Sequence, residues 1–112
     1  MKIDERKMSD YCVVGVIGRL DLGGSETLAQ RLHELIDAGE RRLIIEGQTL
    51  EYISSAGFRV LLVAAKRLEA LDGRIVLSTL QPQIIEAFKI AGFSSIFPIY
   101  DNVDQAAQQN FG

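Results

Sequence analysis

Two adjacent serines lie where an apolar, strand-like run of the chain gives way to a helix-like run. Ser54 and Ser55 are followed by Ala56-Gly57 and then by the largely apolar segment 58–65. Such a junction is typical of a helix N-terminus, where backbone N–H groups lack partners and the positive end of the helix dipole is exposed. That environment accommodates negative charge, phosphate groups included. A serine in it can therefore cap the helix, contact a phosphate or itself receive one.

The other reactive residues do not form a catalytic or metal-binding pattern. The only histidine, His33, has no nucleophile paired with it in sequence, and we predict that it is a partly exposed surface residue. Cys12 has no cysteine partner, and we expect it to be a buried core residue, with a free thiol, in a protein of a reducing compartment. The carboxylates Asp21, Glu46 and Glu51 show no paired spacing. The sequence therefore predicts a protein that is not an enzyme and that needs no metal and no cofactor.

Length, composition and charge narrow the class of protein. The chain has 112 residues, of which 47% are hydrophobic and 24% are charged, as is ordinary for one soluble globular domain. A formal net charge of −3 argues against a nucleic-acid partner, which usually requires a basic face. No apolar run approaches the roughly 20 residues of a membrane helix, and the charged N-terminus does not resemble a signal peptide. We expect a single domain over residues 1–112, located in the cytoplasm, with no membrane partner.

Strand-like and helix-like patterns alternate along the chain. We predict strands over residues 11–17, 42–46, 74–78 and 96–100, with a weaker signal over 2–8. We predict a first helix between Ser25 and Gly39, and further helices over residues 55–71, 83–91 and 103–109. This alternation predicts an α/β fold with a mixed central sheet of four to five strands, flanked by about four helices. The two serines would then lie beyond the carboxyl ends of strands, where open α/β sheets usually bind ligands.

Single residues are expected to fix the ends of these elements. Ser25 is expected to cap the first helix, and Gly39 to follow its last turn. Asp101 or Asn102 is expected to cap the last helix. Because proline cannot donate a ladder hydrogen bond, Pro98 predicts that the last strand lies at a sheet edge or ends at the proline.

Three segments of the chain resemble the STAS domain of bacterial anti-sigma factor antagonists. They are residues 18–21 (Gly-Arg-Leu-Asp), residues 52–62 around the two serines, and residues 88–93 (Phe-Lys-Ile-Ala-Gly-Phe). The order of the elements matches the family over nearly the whole chain. The family's pattern at the turn is Asp-Ser-Ser-Gly-Leu-Gly, and its first serine is the phosphorylated one. That serine aligns with Ser55.

The chain departs from the family's pattern at three positions of the turn. Ser54 stands where the family has aspartate, Ala56 where it has its second serine, and Arg59 where a glycine is common. The missing aspartate removes a negative charge beside the phosphorylation site, which would change kinase recognition or lower the efficiency of phosphorylation. Ser54 itself offers a second, less favoured acceptor hydroxyl.

The resemblance implies a partner-switching function. The unphosphorylated form would bind a partner that is both a serine kinase and an anti-sigma factor, and would thereby displace the sigma factor. The kinase would end this binding by phosphorylating Ser55 with ATP, and a serine phosphatase would restore it. The residues that the resemblance places at the partner surface are Asp21, Ser54, Ser55, Ala56, Gly57 and Arg59.

Other functions stay open at this point. Ser55 can be an ordinary helix N-cap, and capping does not exclude phosphorylation. STAS domains also act as accessory subunits of lipid transporters, as scaffold subunits of stress-sensing assemblies and as tails of anion transporters, the last of which need a membrane segment. The chain can thus be a constitutive binding or scaffold module without a phosphorylation switch. A small-molecule or nucleotide-binding module is a third alternative, although Gly23-Gly24-Ser25 lacks the spacing of a dinucleotide fingerprint.

Overall fold

Strands and helices alternate along the chain, as the sequence predicts, in a computed structural model that describes residues 1–112. The strands are β1 (Lys2–Lys7), β2 (Cys12–Leu20), β3 (Arg42–Glu46), β4 (Leu50–Ile53), β5 (Arg74–Ser78) and β6 (Ile99–Tyr100). The helices are α1 (Leu22–Asp37), α2 (Ser55–Ala70), α3 (Pro82–Ile90) and α4 (Val103–Phe111). The predicted α/β fold with a mixed sheet and four helices is confirmed.

The sheet has the strand order β1-β2-β3-β5-β6, and β4 pairs with β2 outside this path. Only β1 is antiparallel to its neighbour, and the remaining pairs are parallel. The long strand β2 pairs first with β3 and then, from Gly18 onward, with β4. As a result the carboxyl ends of β2 and β4 lie side by side, with Leu20 opposite Ile53.

Both faces of the sheet are covered by helices, which explains why its central strands are apolar on both sides. The larger core lies between the sheet and α1, α2 and α3, and it includes Val14, Leu43 and Leu77. The smaller core lies on the other face, where Ala106 and Ala107 of α4 pack against three strand residues. These strand residues are Val13, Ile44 and Val76. None of the four helices has the length and apolar character that spanning a membrane requires.

Two boundaries around β2 differ from the prediction. The strand does not stop at Gly18 but continues to Leu20, because Gly18 adopts a φ of +100° and the pairing register shifts at this point. The helix α1 begins at Leu22 and is capped by Asp21, so the capping role predicted for Ser25 is wrong. Ser25 is instead buried inside the first turn of α1. Both differences bring the end of β2 closer to the start of α1 than the sequence pattern implies.

The remaining end signals are confirmed, and one strand was not predicted. Gly39 follows α1 with a φ of +105°, and Asn102 caps α4 by accepting a hydrogen bond from the Gln105 N–H at 2.7 Å. The strand predicted over 96–100 is shorter than expected, because β6 begins directly after Pro98, and it lies at the sheet edge as the proline indicates. The unpredicted strand is β4, which is only 4 residues long.

Candidate functional site

Two helices begin next to each other at the carboxyl ends of β2 and β4. Asp21 follows β2 and caps α1, accepting a hydrogen bond from the Gly24 N–H at 2.8 Å. Ser54 follows β4 and caps α2, accepting one from the Gly57 N–H at 3.3 Å. Because β2 and β4 are parallel neighbours, the positive ends of the two helix dipoles emerge at the same edge of the sheet. The predicted position of the serine turn, beyond the ends of strands, is confirmed.

The carbonyl oxygen of Leu20 joins the two helix starts. It accepts hydrogen bonds from the Ser54 N–H at 2.9 Å and from the Ser54 hydroxyl at 2.7 Å. The hydroxyl of the buried Ser25 in α1 also donates to it, at 3.5 Å. The half-buried Ser54 hydroxyl therefore acts as donor and acceptor at once. A hydroxyl held in this way is a structural group of the turn.

Ser55 is the first residue of α2, and its environment is the opposite of that of Ser54. Its side chain is exposed and makes no hydrogen bond within the protein. Since Ser54 is the cap, the alternative of an ordinary N-cap role for Ser55 is wrong. The structure thus leaves a free hydroxyl at the start of a helix, at a position where added negative charge is favourable.

A shallow groove of about 320 Å³ runs between α1 and α2, and its lining begins at Ala56, the residue that follows Ser55. Its lining residues are Leu22, Ser25, Glu26, Ala29, Ala56, Arg59 and Val60. Leu22 is 68% exposed, more than any other large apolar side chain except Ile90. Arg59 is exposed as well, one turn beyond Ser55. A larger groove of about 500 Å³ lies near the C-terminal half of α2 and contains none of the predicted site residues.

Leu22 is the surface residue that sequence reasoning missed. It stands at the first position of α1, well off the stripe formed by Leu28, Leu32 and Leu35, and those three residues are buried. A leucine outside the buried stripe of an amphipathic helix is the signal that would have singled it out. This signal can be recognised only if Leu22 is known to belong to the helix. The predicted helix start at Ser25 left Leu22 outside it.

Gly57 lies beneath the surface of the turn. It is buried, and a Cβ atom added there would lie 2.8 Å from Ile53 Cγ1 and 3.1 Å from Leu20 Cβ. The absence of a side chain allows the first turn of α2 to pack directly on the paired ends of β2 and β4.

Of the predicted partner-surface residues, Asp21, Ser55 and Arg59 are exposed, whereas Ser54 and Ala56 are half-buried.

An arginine and a tyrosine flank the turn on the strands that lead into it. Arg19 and Tyr52 are opposite each other in the β2–β4 pair, and the Arg19 guanidinium lies 4.3 Å from the centroid of the Tyr52 ring. Both side chains are exposed. Such cation–π pairs contribute about 0.5–1 kcal/mol at exposed sites.

The groups with perturbed pKa values lie away from the two serines. A hydrogen bond from Arg31 lowers the pKa of Glu5, and one from Arg67 lowers the pKa of Asp37. Burial raises the pKa of the Cys12 thiol, which agrees with the predicted role of Cys12 as a buried core residue. The half-buried His33 is held through its Nδ1 atom, 3.0 Å from Arg67 Nη1. These groups are structural ion pairs and core residues.

No group of three or more histidine, cysteine, aspartate or glutamate side chains converges to hold a metal ion. At the turn itself, the only carboxylate that contacts a helix start is that of Asp21, and it is occupied by the Gly24 N–H. The site presents the exposed Ser55 hydroxyl at the start of α2 and, one turn further on, the exposed Arg59 guanidinium of the groove lining.

Comparison with known proteins agrees with this architecture. The family model described as the STAS domain matches residues 2–106. A protein of Bordetella bronchiseptica, provisionally named anti-sigma factor antagonist BtrV, is 38% identical over 107 residues, which cover 96% of this chain and 92% of that protein.

Solved structures show the same fold. An anti-sigma factor antagonist from Mycobacterium paratuberculosis superposes with a TM-score of 0.87 at 19% identity, covering 96% of this chain and 92% of that one. The Bacillus cell fate determinant SpoIIAA in its phosphorylated form superposes with a TM-score of 0.75 at 20% identity, covering 96% of this chain and 98% of that one. The chain belongs to the STAS domain family. Within that family it is a member of the anti-sigma factor antagonists.

Proposed function

We propose that this protein binds, in its unphosphorylated form, a partner that is both a serine kinase and an anti-sigma factor, and so releases the sigma factor. Phosphorylation of Ser55 ends the binding, and a serine phosphatase restores it. The observation that carries the proposal is the free, exposed hydroxyl of Ser55 at the first position of α2. The protein itself performs no catalysis, since the kinase supplies the reaction. Its place of action is the cytoplasm, where ATP and sigma factors meet.

The hydrogen bonds of the turn favour Ser55 over Ser54 as the phosphoacceptor. The Ser54 hydroxyl proton is donated to the Leu20 carbonyl, and its oxygen accepts from the Gly57 N–H. Phosphorylating Ser54 would remove the proton that is donated to the Leu20 carbonyl and would place a phosphate in the half-buried turn. Phosphorylating Ser55 breaks no hydrogen bond. SpoIIAA is known in an unphosphorylated and a phosphorylated form, which supports a phosphorylation switch on this fold.

A phosphate on Ser55 changes the surface without changing the fold. It adds a charge of about −1.5 to −2 and three strong acceptor oxygens. The N-terminus of α2 accommodates that charge, so the helix is not disrupted. A partner surface shaped for a neutral hydroxyl meets steric bulk and a desolvation cost instead. A loss of about 3 kcal/mol of binding free energy weakens the affinity roughly a hundredfold.

The proposed partner surface is centred on the groove between α1 and α2. Leu22 supplies an exposed apolar anchor, and Arg59 supplies the only positive charge in the groove lining. Asp21 and Ala56 flank Ser55 on this surface. Ser54 and Gly57 act from below, since one caps α2 and the other allows it to pack on the strands.

Phosphate mapping by mass spectrometry after incubation with the cognate kinase and ATP tests this assignment. Ser54→Asp is the matched control for Ser55→Ala, because it removes the other hydroxyl and keeps a good helix cap. We expect phosphate on Ser55 in the wild type and in Ser54→Asp, and none in Ser55→Ala. Phosphate on another residue would refute the assignment. Stable partner binding with no phosphate on any protein would identify a constitutive binding or scaffold module.

A further inference from the structure

We propose that Arg59 binds the phosphate of phosphorylated Ser55 within the same helix, and that phosphorylation thereby withdraws the only positive charge from the α1–α2 groove. The inference rests on the proposed function, because it takes Ser55 as the phosphorylated residue. It makes Arg59 the second component of the switch.

The spacing of the two residues on α2 supports the contact. Ser55 and Arg59 are one helical turn apart, and residues four apart on a helix have their Cβ atoms about 5–6 Å from each other. Helical side chains lean toward the helix N-terminus, so the Arg59 side chain extends over the turn that carries Ser55. Both residues are exposed, and neither has to be uncovered for the contact to form.

Arg59 is available for a new partner. It forms no ion pair and no side-chain hydrogen bond, whereas Arg6, Arg31 and Arg67 each pair with a carboxylate. The only acidic residue in the groove lining is Glu26, which does not pair with Arg59. A phosphate carries more negative charge than one carboxylate and offers three oxygens to the planar guanidinium. It therefore competes effectively with Glu26 for Arg59.

With this contact, phosphorylation would have two effects on the partner surface. The first is the bulk and charge of the phosphate itself, and the second is the neutralisation of Arg59. In the unphosphorylated protein, Arg59 is free to meet a polar or acidic group of the partner at the mouth of the groove. In the phosphorylated protein, the guanidinium is neutralised by an intrahelical pair. The family's pattern has a glycine at this position, so the second effect belongs to this chain's own arginine.

The test measures the second pKa of phosphoserine by ³¹P NMR in protein carrying phosphoserine incorporated at position 55 during translation. Because no kinase is needed, the result is independent of whether the proposed kinase reaction occurs. Arg59→Gln removes the proposed contact. Lys66→Gln is the matched control, since Lys66 is exposed, forms no ion pair, and lies about 16 Å from position 55 along the axis of α2.

A nearby guanidinium favours the dianion, so we expect the phosphoserine pKa to be roughly 0.5–1 unit lower in the wild type and in Lys66→Gln than in Arg59→Gln. Equal phosphoserine pKa values in wild type and Arg59→Gln would overturn the inference and leave the proposed function standing. A lowered pKa in protein whose Ser55 no kinase phosphorylates would instead refute the proposed function and retain the contact.

Discussion

The hydroxyl of Ser54 donates a hydrogen bond to the carbonyl oxygen of Leu20 at 2.7 Å and so fastens the start of α2 to the end of β2. The same hydroxyl accepts the Gly57 N–H, which makes Ser54 the cap of α2. One residue further on, Ser55 has no such task. This difference between two adjacent serines is the structural basis of the proposed switch. Ser54 stabilises the turn, and the free hydroxyl of Ser55 can be phosphorylated.

Replacing the two serines by alanine should affect stability very differently. Ser54→Ala removes the cap and leaves the Leu20 carbonyl without one of its donors, and we expect the free energy of unfolding to fall by about 1–2 kcal/mol. Ser55→Ala removes no hydrogen bond, and we expect a change within about 0.5 kcal/mol. Urea unfolding of both variants measures the difference. Equal losses would show that the cap has been assigned to the wrong serine.

Adding one methyl group at Gly57 should destabilise the protein. The new Cβ would lie 2.8 Å from Ile53 Cγ1, and relieving that contact should cost about 1–3 kcal/mol of unfolding free energy. Gly23→Ala is the control, because Gly23 is exposed in the first turn of α1 and a Cβ there meets only Asp21 Oδ1, at 3.9 Å. That variant should be unchanged or more stable by up to about 1 kcal/mol. A stable Gly57→Ala would contradict the close packing of α2 on the strands.

Much of this site was predictable, and the failures have identifiable causes. The serine turn, its place beyond the strand ends and the four helices follow from local apolar periodicity. The cap of α1 does not, because Ser25 and Asp21 are both good capping residues. Gly24 allows the early start, because a Cβ atom there would lie 2.4 Å from the Arg19 carbonyl oxygen, and with glycine the first turn of α1 follows β2 directly with Asp21 as its cap.

The strand β4 was missed for a related reason. Its buried residues are Leu50 and Ile53, and the two residues between them are exposed, so the period-2 alternation of a half-buried strand is absent. Only its pairing with the last residues of β2 makes this segment a strand. No local pattern contains that information.

Removing the apolar anchor of the groove should weaken partner binding without loss of stability. We expect Leu22→Gln to lower the affinity for the kinase–anti-sigma partner by about tenfold or more, since exposed apolar side chains at an interface centre contribute about 1–2 kcal/mol or more. Ile90→Gln is the control, because Ile90 is 79% exposed on α3 and lies outside the groove. Calorimetric titration measures both variants. A larger loss in Ile90→Gln would move the partner surface to another face.

The Glu5–Arg31 ion pair should make stability depend on pH in the acid range. The hydrogen bond from Arg31 lowers the pKa of Glu5 in the folded state. The contribution of this ion pair to the free energy of unfolding is therefore fully present above the pKa of Glu5 in the unfolded chain, about 4.3. It is lost as the pH falls through the lower pKa of Glu5 in the folded protein. We expect the stability difference between wild type and Glu5→Gln to be largest near pH 7 and to shrink below about pH 4. Urea unfolding from pH 7 to pH 3 measures it, with the exposed, unpaired Glu86→Gln as control. A difference that stays constant with pH would contradict the pairing.

The central claim is that the charge state of Ser55 decides partner binding. The direct measurement titrates the kinase–anti-sigma partner with four proteins, namely wild type, Ser55→Ala, Ser55→Asp and protein carrying phosphoserine at position 55. We expect wild type and Ser55→Ala to bind within about twofold of each other, and the phosphorylated protein to bind about a hundredfold more weakly or worse. Ser55→Asp should fall between them, because a carboxylate carries only part of the charge of a phosphate and none of its tetrahedral shape. Equal affinities of the phosphorylated and unphosphorylated proteins would contradict the switch and leave a module that binds its partner constitutively.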